Sequence, residues 1–404
     1  MALVFWLSVA VVAYVYVGYP ALLLLWARLR PKPFNRGSLS ADWGLGVSIV
    51  IAARNEGARL SSRIDNLLTL DYPASKRQIV VVSDGSTDDT LNVLARYHRV
   101  VDVVSVPAGG KATALNAGVA RARHEIVVFA DARQVFAPDA LRELVAPFTD
   151  RTVGAVTGEL LLDAESPCRR TGRDRRAAER RAERRASSAD RREDDRRRTL
   201  RSTIADGVGL YWKYEKQLRR LESTVASTLG ATGAIYAIRR SLYRPLPADT
   251  ILDDVLAPMR VVLAGYRVVF NDRARAFDRA AADADAEARR KIRTLAGNYQ
   301  IPALEPRLLL PWRNPVWLQY VSHKLGRLVV PYALLAIFVA SLVLTGRSAS
   351  LVSVYGAALA GQVLLFLLAG VGAMLEFAAR HRDDRLSDAQ PEPLRATHAV
   401  REIA

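Results

Sequence analysis

The sequence predicts an α/β domain set between hydrophobic segments. Three observations carry this. Short runs rich in β-branched residues alternate with helix-spaced segments between Val47 and Ala130. Polar clusters, several with glycine, stand at the carboxyl ends of those runs. Long apolar stretches flanked by basic residues lie near both ends of the 404-residue chain.

The elements follow in order. Ala2 to Ala27 is almost wholly apolar, and Arg28, Arg30 and Lys32 follow it. That length crosses a bilayer, which needs about 20 apolar residues. A cleaved signal peptide is the rival, but the basic residues come after the apolar run, not before it. By the positive-inside tendency the chain then enters the cytosol. Val47 to Ala52, Ile79 to Ser83, Val100 to Val106 and Ile126 to Ala130 read as strands. Ala58 to Leu70, Thr87 to Tyr97 and Ala112 to Arg121 read as helices. This order predicts parallel strands with helices on both faces and ligands beyond the carboxyl ends.

The formal charge is +17, from 58 Lys and Arg against 41 Asp and Glu. The stretch from Arg169 to Arg201 holds 15 Arg and 7 acids, so it alone supplies +8. It has almost no large apolar residue and reads as a solvated insertion over 166–201. Its acids and lack of aromatics argue against nucleic acid as a partner. Membrane lipid headgroups suit a basic loop better. Cys168 is the one cysteine, which excludes a disulfide framework and a cysteine metal cluster.

Toward the end, Leu328 to Leu344 and Leu351 to Phe377 are apolar. His323, Lys324 and Arg327 precede them, and Arg380 and Arg382 follow. They predict a transmembrane hairpin with both ends cytosolic. The expected layout is a membrane helix over 1–29, a cytosolic domain over 45–300, an interfacial segment over 301–327, the hairpin over 328–377 and a cytosolic tail over 378–404.

Five clusters carry chemistry. Ala52 to Glu56 follows the first strand, and Ser83 to Asp88 follows the second. Asp84 can accept hydrogen bonds from a base or ribose, and Thr87 or Asp88 can cap the next helix. Gly109-Gly110-Lys111 can meet a phosphate at a helix start. Asp131, directly beyond an apolar strand, can hold a divalent cation against a diphosphate. Asp253-Asp254 can supply a base. Taken singly, the first three clusters read first as plain turn chemistry, and Asp131 and Asp253-Asp254 serve equally as a helix cap or solvated turn acid. Tyr211 to Lys216 brings aromatics that either stack on a sugar or pack a helix against the sheet or bilayer.

Taken in order, these clusters resemble the family 2 glycosyltransferases, of the membrane-integrated bacterial polysaccharide or glycolipid synthase type. Val47 to Glu56 resembles the family's opening strand, and Ser83 to Asp88 its DGSTD segment. Gly110 to Asn116 resembles GK-x-x-ALN, and Asp131-Ala132-Arg133 stands at the D-x-D motif. Thr232 to Arg240 resembles the acceptor-side glycine segment, and Asp253-Asp254 the ED segment.

The resemblance implies a GT-A fold, a Rossmann-like mixed sheet that binds a nucleotide sugar. It implies that Asp84 binds the base with Ala53 and Glu56 nearby, and that Lys111 approaches the phosphates. Asp131 would ligate Mg²⁺ or Mn²⁺. Asp254, beside Asp253, would deprotonate a hydroxyl on a lipid-linked or polysaccharide acceptor, with inversion. Thr232, Gly233, Arg290 and Arg293 would lie on the acceptor side. The compartment implied is the bacterial inner membrane, with the catalytic domain in the cytosol. Two positions depart from the pattern. Arg133 replaces the second acid, which puts metal dependence in question and opens a phosphate-pairing role. Thr294 follows Arg293 where processive synthases have tryptophan, which weakens a polymerase reading. The alternative is a catalytically weak scaffold of a polysaccharide assembly complex.

Overall fold

The computed structural model describes residues 1–34, 45–163, 212–279, 284–348 and 353–388. The Arg-rich insertion over 166–201 and the tail from 389 onward lie outside the described residues. The chain divides into two compact units, Val15–Leu328 and Met1–Tyr14 with Val329–Ala404.

The larger unit is built on an eight-stranded sheet. Its strands are β1 (Val47–Ala53), β2 (Arg77–Asp84), β3 (Asp102–Val106), β4 (Ile126–Ala130), β5 (Val135–Phe136), β6 (Val153–Asp163), β7 (Ile235–Arg239) and β8 (Arg267–Arg279). The order is β3-β2-β1-β4-β7-β6-β8-β5. Strands β1 to β4 pair in parallel. Strand β7 runs antiparallel between β4 and β6, so the sheet is mixed. The parallel half is the part legible as strand–helix alternation. The other half, where β7 and β5 pair antiparallel and β6 pairs with β8 in parallel, comes from segments far apart in sequence.

Alternation along β1 sends its side chains to opposite faces. Ile49 and Ile51 pack with Leu60, Ile64 and Leu67 of the helix Gly57–Leu68. Val50, with Val80 and Val82 of β2, packs against Leu115 and Val119 of the helix Lys111–Arg121. That helix lies close because residue 118 is glycine. A Cβ there would sit 2.4 Å from Val50 Cγ1.

One expected helix is shorter than its sequence pattern. The helix after β2 spans Thr90–Ala95, not Thr87 to Tyr97. Thr87 N–H donates to Asn55 Oδ1, and the Asp88 carboxylate accepts from Gly57 N–H and Thr90 N–H. Loop-to-loop bonds therefore hold the first residues out of the helix.

Among the described residues, three helices are long and apolar enough to cross a membrane, with windows Ala2–Leu29, Trp317–Arg347 and Val354–Gly372. In the smaller unit, Phe5 packs with Ile337 and Ala340, and its ring meets Tyr355 edge-on at 5.0 Å. Leu364, Leu365, Phe366, Leu367 and Leu368 all face outward. A helix apolar on every side is one that meets lipid. The segment boundaries fall differently from the sequence pattern. The helix Ala284–Leu304 runs through position 301, and the second apolar window begins at Trp317.

Candidate active site

The site lies at the carboxyl ends of β1, β2 and β4, where the loops carry the polar clusters. The β1 and β2 loops are sewn together. Asn55 adopts φ 56°, a conformation that asparagine tolerates better than most residues. Its Oδ1 accepts from Thr87 N–H at 2.9 Å, and its own N–H donates to Ser86 Oγ at 3.2 Å. Ala53 ends β1 and is buried. Glu56 pairs with Arg59 at 2.8 Å.

Asp84 is buried, and its carboxylate accepts from the N–H groups of Gly109 (2.7 Å) and Gly110 (3.0 Å). Both oxygens thus hold the turn that delivers Lys111. Gly110 adopts φ +85°, which a side chain would oppose. In this geometry Asp84 positions the turn.

Lys111 is the centre of the site. Its ammonium lies 3.1 Å from Asp131 Oδ1 and 3.3 Å from Asp253 Oδ1. Asp131 projects from the end of β4, and Asp253 opens the helix Asp253–Leu263. Burial alone would lower the lysine's pKa. Asp253, Asp131 and Asp254 outweigh it and hold the ammonium above its ordinary value. Tyr236 OH donates to Asp253 Oδ2 at 3.4 Å, and its ring stacks on Phe129 at 4.6 Å.

Asp254 is partly buried. Its Oδ2 accepts from Gly233 N–H at 3.1 Å, and its backbone oxygen accepts from Ala231 N–H at 2.7 Å. Burial first, and Asp253 second, push its carboxyl up to about 6. A carboxylate with that pKa takes up a proton near neutrality, as a general base must. A Cβ on Gly233 would lie 3.0 Å from Asp254 Oδ2, so the glycine leaves the acid its space.

The remaining expected residues divide. Arg133 is half-exposed and pairs with Asp278 at 2.9 Å, an acid that also accepts from Gln134. Thr232 meets the site from the other side: its N–H donates to Thr157 Oγ1, and its Oγ1 accepts from Arg219. Arg293 reaches Ile251 O at 3.4 Å, at the edge of the loop before Asp253. Arg290 stands exposed on the same helix, Ala284–Leu304. Trp212 to Lys216 opens a helix over 212–225. Trp212 is exposed there, and Lys216 pairs with Glu159.

The sequence reading missed Gln300 and Arg63, and took Asn116 only as the end of the GK-x-x-ALN segment. Gln300 accepts from Ile251 N–H at 3.0 Å and donates to Asp249 O at 2.9 Å, clamping the loop that leads to Asp253. Asn116 accepts from Tyr243 OH and Leu246 N–H, fixing the start of that loop. Arg63 is buried, lies 4.1 Å over the Phe136 ring and donates to Asn66 Oδ1. Burial lowers its pKa to about 9 and Asp131 opposes that fall, so Arg63 is a second cation beneath Asp131. Only the asparagine inside the helix Lys111–Arg121 carried a local signal, since asparagine is a poor helix former.

Residues 48–235 match the family model described as Glycosyl transferase family 2. The chain is 32% identical over 137 residues to a poly-beta-1,6-N-acetyl-D-glucosamine synthase of Staphylococcus epidermidis, a match covering 32% of this chain and 33% of that protein. It is 34% identical over 164 residues to a beta-monoglucosyldiacylglycerol synthase of a Nostoc species, covering 38% and 34%. The chain thus spans about a third of the length of these curated relatives, 33% and 34%. Its fold resembles that of a mannosyltransferase from Pyrobaculum calidifontis solved with GDP-Man and Mn²⁺, with a TM-score of 0.58 and 22% identity over 91% of this chain and 97% of the other. At that identity the likeness speaks for the fold, which is of the GT-A type.

Proposed function

We propose, from the match of residues 48–235 to the family 2 glycosyl transferase model, that the chain is a membrane glycosyltransferase. It moves a sugar from a nucleoside-diphosphate donor to a hydroxyl of a lipid-linked or polysaccharide acceptor, with inversion. The observation that carries the reading is Lys111 held between Asp131 and Asp253, with Asp254 alongside.

Asp254 takes the proton from the acceptor hydroxyl. The hydroxyl oxygen attacks the anomeric carbon as the bond to the diphosphate oxygen breaks, and the diphosphate leaves with the electron pair. A single in-line displacement inverts the anomeric centre. Asp253 keeps Lys111 in place and raises the basicity of Asp254. Lys111 presents positive charge where the leaving group gathers negative charge. Arg290 and Arg293 add positive charge on the acceptor side with Thr232 and Gly233. Ala53, Glu56, Asp84 and Arg133 shape the donor side.

Among the described residues, no three His, Cys, Asp or Glu side chains gather into a metal-sized group. Asp131 therefore fits only a cation that takes its other ligands from donor phosphates and water, as Mg²⁺ commonly does. Bound there, Mg²⁺ or Mn²⁺ supplies charge neutralisation of the diphosphate. The apolar windows support an inner-membrane location, and Arg28, Arg30 and Lys32 support a cytosolic active site.

The test is donor hydrolysis and transfer by the full chain in lipid, across a panel of nucleotide sugars, with and without chelation. Turnover of one donor is expected. Folded protein that neither binds nor turns over any donor would overturn the proposal. Donor binding without turnover on any acceptor would favour the scaffold reading.

A further inference from the structure

Beneath Asp254 the larger unit holds a cluster of charges on the helix over 212–225 and at the start of the apolar window Trp317–Arg347. Most of its cations have a carboxylate partner. Lys216 pairs with Glu159, Arg220 with Asp272, and Arg327 with Glu215. His323 Nδ1 lies 2.6 Å from Glu222, which also accepts from Tyr19 OH at 2.9 Å, and His323 Nε2 lies 3.7 Å from Glu215. Glu215 and Glu222 are therefore already engaged. Against its own burial, His323 and Arg327 hold the Glu215 carboxyl down to about 2, so it stays charged.

Besides the exposed Lys213, two cations of the cluster stand apart. Arg219 gives one N–H to Thr232 Oγ1 at 2.7 Å and has no carboxylate within ion-pair distance among the described residues. Lys324 lies in the segment Tyr320–Leu325, within electrostatic reach of Arg219, Glu222, Asp254 and Glu215, and it too makes no ion pair among the described residues. Both are partly exposed. Two like charges held side by side repel, and an anion between them removes the repulsion while gaining charge-assisted hydrogen bonds. Thr232 joins this pair to the site, since the next residue, Gly233, binds Asp254. Lys324 also lies near the start of the membrane-length window Trp317–Arg347, the end at which an amphiphile's head group meets such a helix.

We propose that Arg219 and Lys324 form a subsite for the phosphate group of the acceptor, a phosphate-bearing lipid whose hydroxyl faces Asp254. This rests on the glycosyltransferase reading and adds the chemical class of the acceptor. A phosphate held there fixes the head group beside the base, with the tail in the bilayer.

The experiment uses the full chain in nanodiscs of phosphatidylcholine. Farnesyl phosphate and farnesol are the paired probes, titrated against wild type, Lys324→Gln, Arg219→Gln and Lys324→Arg, with thermal melts as fold controls. Wild type is expected to bind farnesyl phosphate at least about ten-fold more tightly than farnesol, the scale of one charge-assisted contact. Each Gln variant is expected to lose about that factor for the phosphate alone, and Lys324→Arg to recover most of it. Equal affinity of wild type for the two probes would overturn the proposal without any variant. So would a preference that survives in both Gln variants with wild-type melting. Inorganic pyrophosphate separates the sources: displacement of farnesyl phosphate at equal affinity would assign the pair to the donor's leaving group and sink the acceptor assignment. Binding of UDP and GDP to wild type is measured alongside. Protein that binds a nucleotide yet ignores farnesyl phosphate fails this inference alone; protein that binds neither fails the glycosyltransferase reading as well.

Discussion

Asp254→Asn separates catalysis from stability, because the structure makes one carboxylate serve both in opposite senses. The group's folded pKa is about 6 against an ordinary value of 3.8. Above pH 6 it is charged in the folded and unfolded chains alike, and the folded chain bears the full cost of that charge. As pH falls through 6 the folded chain takes up a proton while the unfolded chain stays ionised down to 3.8. This group's contribution to stability therefore rises across that window as pH falls. A shift of about two units corresponds to a ceiling on the order of 3 kcal/mol. Asparagine keeps an oxygen for the Gly233 N–H and removes the charge. Asp254→Asn is expected to unfold at higher denaturant than wild type at pH 8, with the difference shrinking towards pH 4. Its transfer rate is expected to fall by roughly 10² to 10⁴, the usual share of a general base. The wild-type rate is expected to drop about ten-fold per pH unit below 6, a limb the variant lacks. Transfer assays from pH 4.5 to 8 on both proteins, with urea unfolding beside them, supply the readout. An asparagine variant with near-full rate, or one that keeps the acid limb, refutes the assignment of Asp254 as the base. Equal stability of the two proteins at pH 8 refutes the electrostatic account of its pKa.

Other outcomes follow from neighbouring contacts. Lys111→Met leaves Asp131 and the buried Asp253 without their shared cation, so it should abolish transfer and cost roughly 3 kcal/mol or more, visible in an unfolding curve. Gly233→Ala drives a methyl to 3.0 Å from Asp254 Oδ2, and transfer should fall at least about ten-fold with the melting temperature nearly intact. Gly118→Ala makes the opposite pattern: its Cβ meets Val50 Cγ1 at 2.4 Å, so stability should drop by about 1–3 kcal/mol while per-molecule activity in the folded fraction holds. Gln300→Ala frees the loop before Asp253, and should lower the rate without altering donor affinity, measured by nucleotide titration against single-turnover transfer.

The parallel half of the sheet was legible because its signals are local. Each of β1, β2 and β4 is a β-branched run ending in a polar turn, and each helix between them repeats its apolar face. The antiparallel partner β7 gave little local warning, since its neighbours β4 and β6 are set by distant pairing. The clusters at the strand ends were legible as residue types in order. Their partners were not: nothing near Asp84 in sequence announces that its oxygens bind Gly109 and Gly110. Arg133 likewise gave no sign that its partner is Asp278, across the sheet on β8.

By itself the sequence determined the membrane-length segments, the parallel strand–helix core and the acids that come to the carboxyl edge. These follow from composition and period, which a chain carries without folding. The tertiary structure alone decided which charges meet. It set Lys111 between Asp131 and Asp253, left Asp254 half-buried against Gly233, and gave His323 and Arg327 to Glu215 and Glu222 while Arg219 and Lys324 make no ion pair among the described residues. Charge–charge energies depend on separation and burial, and both arise only when segments a hundred or more residues apart, such as Glu222 and His323, are packed together.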